Sequence, residues 1–324
     1  MAIAEEPATN FARRVVKKYQ LTPPVDVKKL VLQYATLEYA EMPFEGADGI
    51  SVDLKVSGKR PCVIVNSAIS HLRERFTLAH ELGHIVIPWH TGTIIDNIDP
   101  DRQRSSREYW EIESEANGFA AELLMPKEWV DEILSDEDDL AKAHSTISDI
   151  CKTSAHAAAL RLSRILPPNI VFASEKNGKV EFSGRTLDTL ALALPVDGDL
   201  PDTAYTYCEH HYHHRAGDRV LHWWKLPGEL SLKVRDRRSW RTILQDMLSD
   251  MRVPLSERER MTVSINGVIG AANGRVKSTK RHTVNTVIAA CMQRFKDRDK
   301  FADFSNHRDF EAFVAKRVQE LFEK

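Results

Sequence analysis

Residues 10–20 carry apolar side chains at helical spacing, and Pro23-Pro24 then interrupts the chain. Asp26 precedes a segment whose Val27, Leu30 and Val31 share a face, so a short capped helix is expected to about Tyr34. Residues 36–40, 50–56 and 62–65 alternate or run apolar between Gly46, Gly49 and Gly58, the pattern of three short strands in a small antiparallel sheet. Leu72, Phe76, Ala79, Leu82 and Val86 recur with helical period behind Ser70, predicting a long helix that ends at Pro88. Residues 91–105 are polar and aperiodic and read as a loop. A second long helix is expected over 106–124, and Pro126 opens a set of two or three short helices that Pro167-Pro168 closes.

Beyond this point the period changes. Lys176-Asn177-Gly178-Lys179 is a hairpin turn between strand-like runs, and the pattern stays strand-like and aromatic to about Pro227. Helical spacing returns from Ser239 to the C-terminus. The fold class that follows is α+β, with an N-terminal domain over 1–170 and a mixed α/β domain over 171–324. A chain of 324 residues is long enough for two such cores.

Composition changes this picture little. The chain is 42% hydrophobic and 28% charged, ordinary for a globular protein, and no stretch reaches the roughly 18 uncharged apolar residues of a membrane span. The first thirty residues mix charge with apolarity, unlike a secretory signal, and Cys62, Cys151, Cys208 and Cys291 form no CxxC pair. Reduced thiols in a cytoplasmic protein are expected.

Charge changes it more. The formal net charge of -2 averages two unlike regions: residues 1–231 sum to -10 and residues 232–324 to +8. Between Met261 and Lys296 no acidic residue occurs, while Arg275, Lys277, Lys280 and Arg281 cluster beside Gly267, Gly270 and Gly274 in a stretch expected to be mobile. Such a patch suits phosphates, and so a nucleic acid or nucleotide signal, or an acidic protein surface, including the N-terminal half itself.

The chemistry concentrates in Arg75-Phe76-Thr77-Leu78-Ala79-His80-Glu81-Leu82-Gly83-His84. Residues four apart on a helix share a face, so His80 and His84 can present nitrogens to one zinc ion, with Glu81 placed to take a proton from a water that the ion activates. A catalytic zinc needs a third protein ligand. His90 stands six residues beyond His84 but lacks the glycine turn of the extended motif, whose place is Ile87. On the next helix Glu111 and Glu115 share a face while Glu113 points elsewhere, and geometry alone leaves Glu111 and Glu115 open. Tyr109, His90 and His71 are candidate oxyanion donors, and Asn117 a support for a ligating histidine.

Residues 75–84, followed by Glu115-Ala116-Asn117-Gly118-Phe119-Ala120-Ala121-Glu122-Leu123-Leu124-Met125-Pro126 and preceded by Val63-Ile64-Val65-Asn66, resemble the ImmA/IrrE family of zinc metallo-endopeptidases. The resemblance covers roughly residues 20–185. It implies a zincin-like domain with a helical cap, one catalytic zinc on His80, His84 and Glu115, and Glu81 as general base. It also implies a regulatory protease whose substrate is a helix-turn-helix repressor in a stress, DNA-damage or defence response, controlled here by the C-terminal domain as a sensor or recruiting module. Two rival readings are a metallopeptidase-like binding protein that does not cleave, and a DNA-binding regulator that reads bases through His156, Arg161 and Arg164. Finally, His210 to His214 on a strand would place His211 and His213 on one face as possible chelators, and Trp223-Trp224 would pack a sheet or stack on a planar ligand.

Overall fold

The computed structural model describes residues 7–42, 46–96, 106–279, 281–296 and 298–323, which divide into two compact units at Leu162/Ser163. The first begins with helices α1 (Pro7–Tyr19) and α2 (Val27–Tyr34), where the Asp26 carboxylate accepts from Lys29 N at 3.0 Å as the cap requires. Strands β1 (Thr36–Ala40), β2 (Gly49–Leu54) and β3 (Cys62–Asn66) follow, then helix α3 (His71–Val86).

A fourth strand, β4 (Gly92–Ile95), lies where the sequence reads as a loop. Its four residues carry no alternation long enough to register. It exists because Ile94 and Ile95 find partners in Ser51 and Ile50 of β2, a non-local pairing that overrides local polarity. The sheet order is β1-β3-β2-β4, and it is mixed rather than antiparallel: β1 runs parallel to β3, because α2 and β1 enter from outside the β2–β3 pair.

Helix α4 (Ser106–Leu124) packs on α3, and the two approach closely at Gly83, where an added Cβ would meet Phe119 Cβ at 3.2 Å and Ala116 Cα at 3.3 Å. Short helices α5 (Lys127–Asp136), α6 (Leu140–Cys151) and α7 (Ala155–Ile165) complete this region. Arg161 of α7 is buried, bonded to Glu122 at 2.7 Å and to the carbonyl of Met125 at 2.9 Å, while Arg13 of α1 reaches the same Glu122. Of the base-reading residues in the rival DNA-binding reading, Arg161 instead neutralises a buried carboxylate inside the fold.

The second unit holds an antiparallel sheet of β5 (Ile170–Lys176), β6 (Lys179–Arg185), β7 (His210–Ala216) and β8 (Arg219–Lys225), ordered β6-β5-β8-β7. Asn177 and Gly178 form the predicted turn with φ of 53° and 79°. Val171, Ala173, Trp224 and Leu226 make one small core with Tyr205. A larger core joins α8 (Trp240–Asp250), α9 (Leu255–Lys277), α10 (Val284–Lys296), α11 (Ala302–Ser305) and α12 (Phe310–Phe322) through Ile269, Phe295, Phe304 and Phe313. The glycines expected to loosen residues 267–274 sit instead inside the 23-residue α9, which Ile265, Val268, Ile269 and Ala272 bury along one side. Tertiary burial outweighs the roughly 1 kcal/mol that each helical glycine costs. The buried Gln293 amide ties sheet to bundle, donating to Asn169 Oδ1 and accepting from Leu190 N.

Candidate metal centre

His80 and His84 stand one turn apart in the buried half of α3, their Nε2 atoms 2.9 Å from each other. Glu113 of α4 places Oε2 at 3.3 Å from His80 Nε2 and Oε1 at 3.6 Å from His84 Nε2. Asp96, one residue past β4, adds Oδ1 at 3.0 Å and 3.9 Å from the same two nitrogens. All four side chains are buried, and their donor atoms lie within 4.8 Å of one another.

Three carboxylates, those of Glu81, Asp96 and Glu113, crowd this space, and Glu81 Oε1, Asp96 Oδ1 and Glu113 Oε1 are buried without a hydrogen-bond partner. Orphaned buried oxygens are costly, and the convergent lone pairs of two imidazoles and two acids suit a divalent cation. The electrostatics agree. Burial opposes a charged His80, yet the nearby carboxylates of Asp96 and Glu113 hold its pKa well above the usual value. Burial, helped by Asp96, pushes Glu81 up, and burial raises Glu113.

The structure gathers Glu113, rather than Glu115, with the two histidines. Residues two apart on a helix point to opposite sides, and the buried stripe of α4 runs Tyr109, Glu113, Ala116, Ala120 and Leu123. Glu113 therefore faces α3. A carboxylate inside an apolar stripe was the signal that could have singled it out from the sequence. Glu111 is on the exposed side, bonded to Arg107 at 2.9 Å. Asp96 and Ser51, which also face this space, belong to no motif in the sequence.

Glu115 has a different place. Its Oε2 accepts from Trp89 Nε1 at 2.6 Å and lies 2.8 Å from His90 Nε2. His90 Nδ1 in turn lies 2.8 Å from His84 Nδ1. A carboxylate carries no proton, so His90 donates from Nε2. Its Nδ1 then accepts from the Nδ1–H of His84, leaving the His84 Nε2 lone pair aimed at the cluster. His80 is oriented likewise, its Nδ1 lying 3.1 Å from Asn117 Oδ1. His90 and Glu115 thus orient a histidine of the cluster from outside it.

Glu81 is fixed from the sheet side. Ser51 Oγ of β2 donates to Glu81 Oε2, and a Cβ added to Gly49 would fall against Oε1. Only a residue without a side chain leaves room for the acid there. Of the other candidates, Tyr109 donates to Ile95 O at 3.1 Å, and His71 is exposed beside Glu74.

In the second unit His211 Nε2 lies 3.0 Å from His222 Nδ1, and both rings stack on the buried Trp224 at 4.7 and 5.4 Å. His213 shares that face, and Glu175 lies 3.9 Å from His222 Nε2. Among the described residues the gathered set of metal-capable donors is the one around His80. Trp223 and Trp224 are core residues, which removes the planar-ligand reading. Of the basic positions, Arg275 pairs with Asp188, Lys277 and Arg281 are exposed, and Lys280 lies outside the described residues. Arg294 and Arg298 bury Nε atoms without acceptors; burial and then the charge of Arg298 lower the Arg294 pKa. No helix of the described residues is long and apolar enough to cross a membrane.

Comparison with known proteins places this geometry. Residues 34–163 match the family model of the IrrE N-terminal-like domain, Peptidase_M78. The "Radiation response metalloprotease IrrE" of Deinococcus deserti is 29% identical over 136 residues, 40% of this chain and 48% of that protein. The protein of the same description from Deinococcus radiodurans is 30% identical over 117 residues, 36% of this chain and 35% of its own length. The chain therefore spans less than half of either relative. The two motifs, the packed α3–α4 pair and these matches together make residues 34–163 an ImmA/IrrE-family domain.

Proposed function

We propose that this chain is a regulatory zinc endopeptidase whose ion is held by His80, His84 and Glu113, with Glu81 as general base. The observation that carries the reading is the convergence of two imidazole nitrogens and the Glu113 carboxylate beside a second acid held by its own donor. Zinc bound there supplies Lewis acidity and a water of lowered pKa, near 7 in known zinc enzymes. The remaining work falls to the chain. Ser51 occupies Glu81 Oε2, which leaves Oε1 as the atom that takes the proton of the attacking water and returns it to the leaving amine nitrogen. Gly49 keeps that oxygen unobstructed. β4 pairs only with β2 among the described strands, so its outer edge offers backbone groups to an extended peptide.

The substrate we propose is a helix-turn-helix repressor, the class implied by the family, cleaved in the cytoplasm in a stress or defence response. Control by the second unit is proposed from its excess of basic residues, among which Arg294 and Arg298 hold buried Nε atoms with no acceptor, as an anionic signal such as a nucleic acid would require. The test is co-expression with repressors encoded nearby. The native chain should cut one of them at a single site, and Glu81→Gln should retain about one zinc per chain and cut none. Cleavage retained by Glu81→Gln would remove Glu81 as the base. A native chain that binds a repressor, holds no zinc and cuts nothing would favour a binding protein.

A further inference from the structure

The cluster holds one carboxylate too many for an open catalytic site. Catalytic zinc usually keeps three protein ligands and one position for water, whereas four protein ligands close the shell. Asp96 Oδ1 is nearer to His80 Nε2, at 3.0 Å, than either oxygen of Glu113 is to the histidine it faces. It is buried, without a hydrogen-bond donor of its own. Nor is its place an accident of rotamer. Asp96 N donates to Gly49 O at 3.2 Å, and the preceding Ile95 is in register with Ile50, so the sheet delivers the carboxylate to the cluster.

The four donors are not held equally. His80 and His84 share α3, and Glu113 lies on α4 in the face packed against α3. Asp96 hangs from the end of a four-residue edge strand and is anchored by β2 alone among the described strands. A carboxylate on a short edge strand can leave without disturbing the helices, whereas withdrawing any of the other three means moving a packed helix.

We infer that Asp96 is a fourth protein ligand that closes the metal's shell in the resting protein, so that hydrolysis requires its displacement. This rests on the metal reading above and deepens it: the protease would be held latent by its own β4, and an activating event would act by drawing that strand end away. It also reconciles a buried, fully donated cluster with a reaction that needs water at the ion.

The experiment loads the full chain and its Asp96→Asn and Asp96→Ala variants with cobalt(II). It records the visible d–d spectrum, the cobalt affinity by competition with a chelator, and titration with acetohydroxamate, a small ligand that needs an open position. The native chain should bind cobalt and leave its spectrum unchanged on adding the hydroxamate. Each variant should bind cobalt about tenfold or more weakly and gain a saturable, hydroxamate-dependent spectral change. Equal hydroxamate binding and equal cobalt affinity in all three would overturn the role of Asp96 while leaving the metal site standing. A native chain that binds neither cobalt nor zinc would overturn both. Should the variants lose their native circular dichroism, the native titration still decides: tight hydroxamate binding to the unaltered chain contradicts a closed shell.

Discussion

The molecule contains two clusters of histidines, and they are opposite in kind. His80, His84 and His90 in the first unit are buried among acids, with Asp96 and Glu113 raising the pKa of His80 against the effect of burial. His211 and His222 in the second unit stack on each other and on Trp224, with His213 beside them, and burial, reinforced by His211, pushes His222 down to about 4. The sequence advertises the second cluster more loudly, with four histidines in five residues from His210 to His214. Histidine number is therefore a poor guide to a metal site. Carboxylates from other elements that aim at the same point separate a binding centre from a stack of aromatic rings.

The largest effect that could break this contrast concerns metal content. His80→Ala with His84→Ala should take bound zinc from about one per chain to none, while His211→Ala with His213→Ala should leave it unchanged. Elemental analysis of both proteins reads this directly, and zinc lost from the second pair would merge the two clusters into one kind.

Next in size is Gly49→Ala. The new methyl would fall on Glu81 Oε1, and overpacking of this sort costs about 1–3 kcal/mol. Thermal unfolding should show that loss and peptidase activity should collapse, with zinc retained because no donor of the cluster has changed. Unchanged activity would mean that Glu81 does not need its oxygen where the structure places it.

The smallest effect belongs to the second cluster. His222 binds its proton more weakly folded, near pH 4, than unfolded, near pH 6.5. The neutral ring therefore favours the fold above pH 6.5, and that contribution is lost as pH falls from 6.5 to about 4. Denaturant melts of the native chain should weaken across this window by about 1–2 kcal/mol, and His222→Gln should flatten the decline. An identical slope in the variant would assign the acid sensitivity to other groups.

How far the sequence could be read follows the same line between local and non-local information. The HExxH helix, its proline stop, the Asp26 cap, the Asn177-Gly178 hairpin and the helix over 106–124 depend on residues close in sequence, and all are present. The strand β4 and the mixed order of its sheet depend on pairing across forty residues, which local polarity does not announce. In the site, His80 and His84 are a local spacing, whereas Asp96 and Ser51 arrive through sheet register and have no motif. Glu113 lies between these cases. The resemblance implies Glu115 through its neighbours Ala116 and Asn117, whereas the buried stripe through Tyr109, Ala116 and Ala120 holds Glu113. Arg161 teaches the same lesson from the other side: a basic residue on a plausible reading helix proved to be the partner of a buried glutamate.

The central claim is that the ion sits between α3 and the inward face of α4, and the pair Glu113→Gln and Glu115→Gln tests it most directly. Zinc affinity is measured for each by chelator competition, since the two residues lie two apart on one helix and differ only in the side they face. The account predicts that Glu113→Gln loses zinc under conditions where the native chain retains it, and that Glu115→Gln still binds, weakened by no more than about 10–100-fold through its hold on His90 and His84. Full binding by Glu113→Gln together with loss of zinc from Glu115→Gln would contradict it.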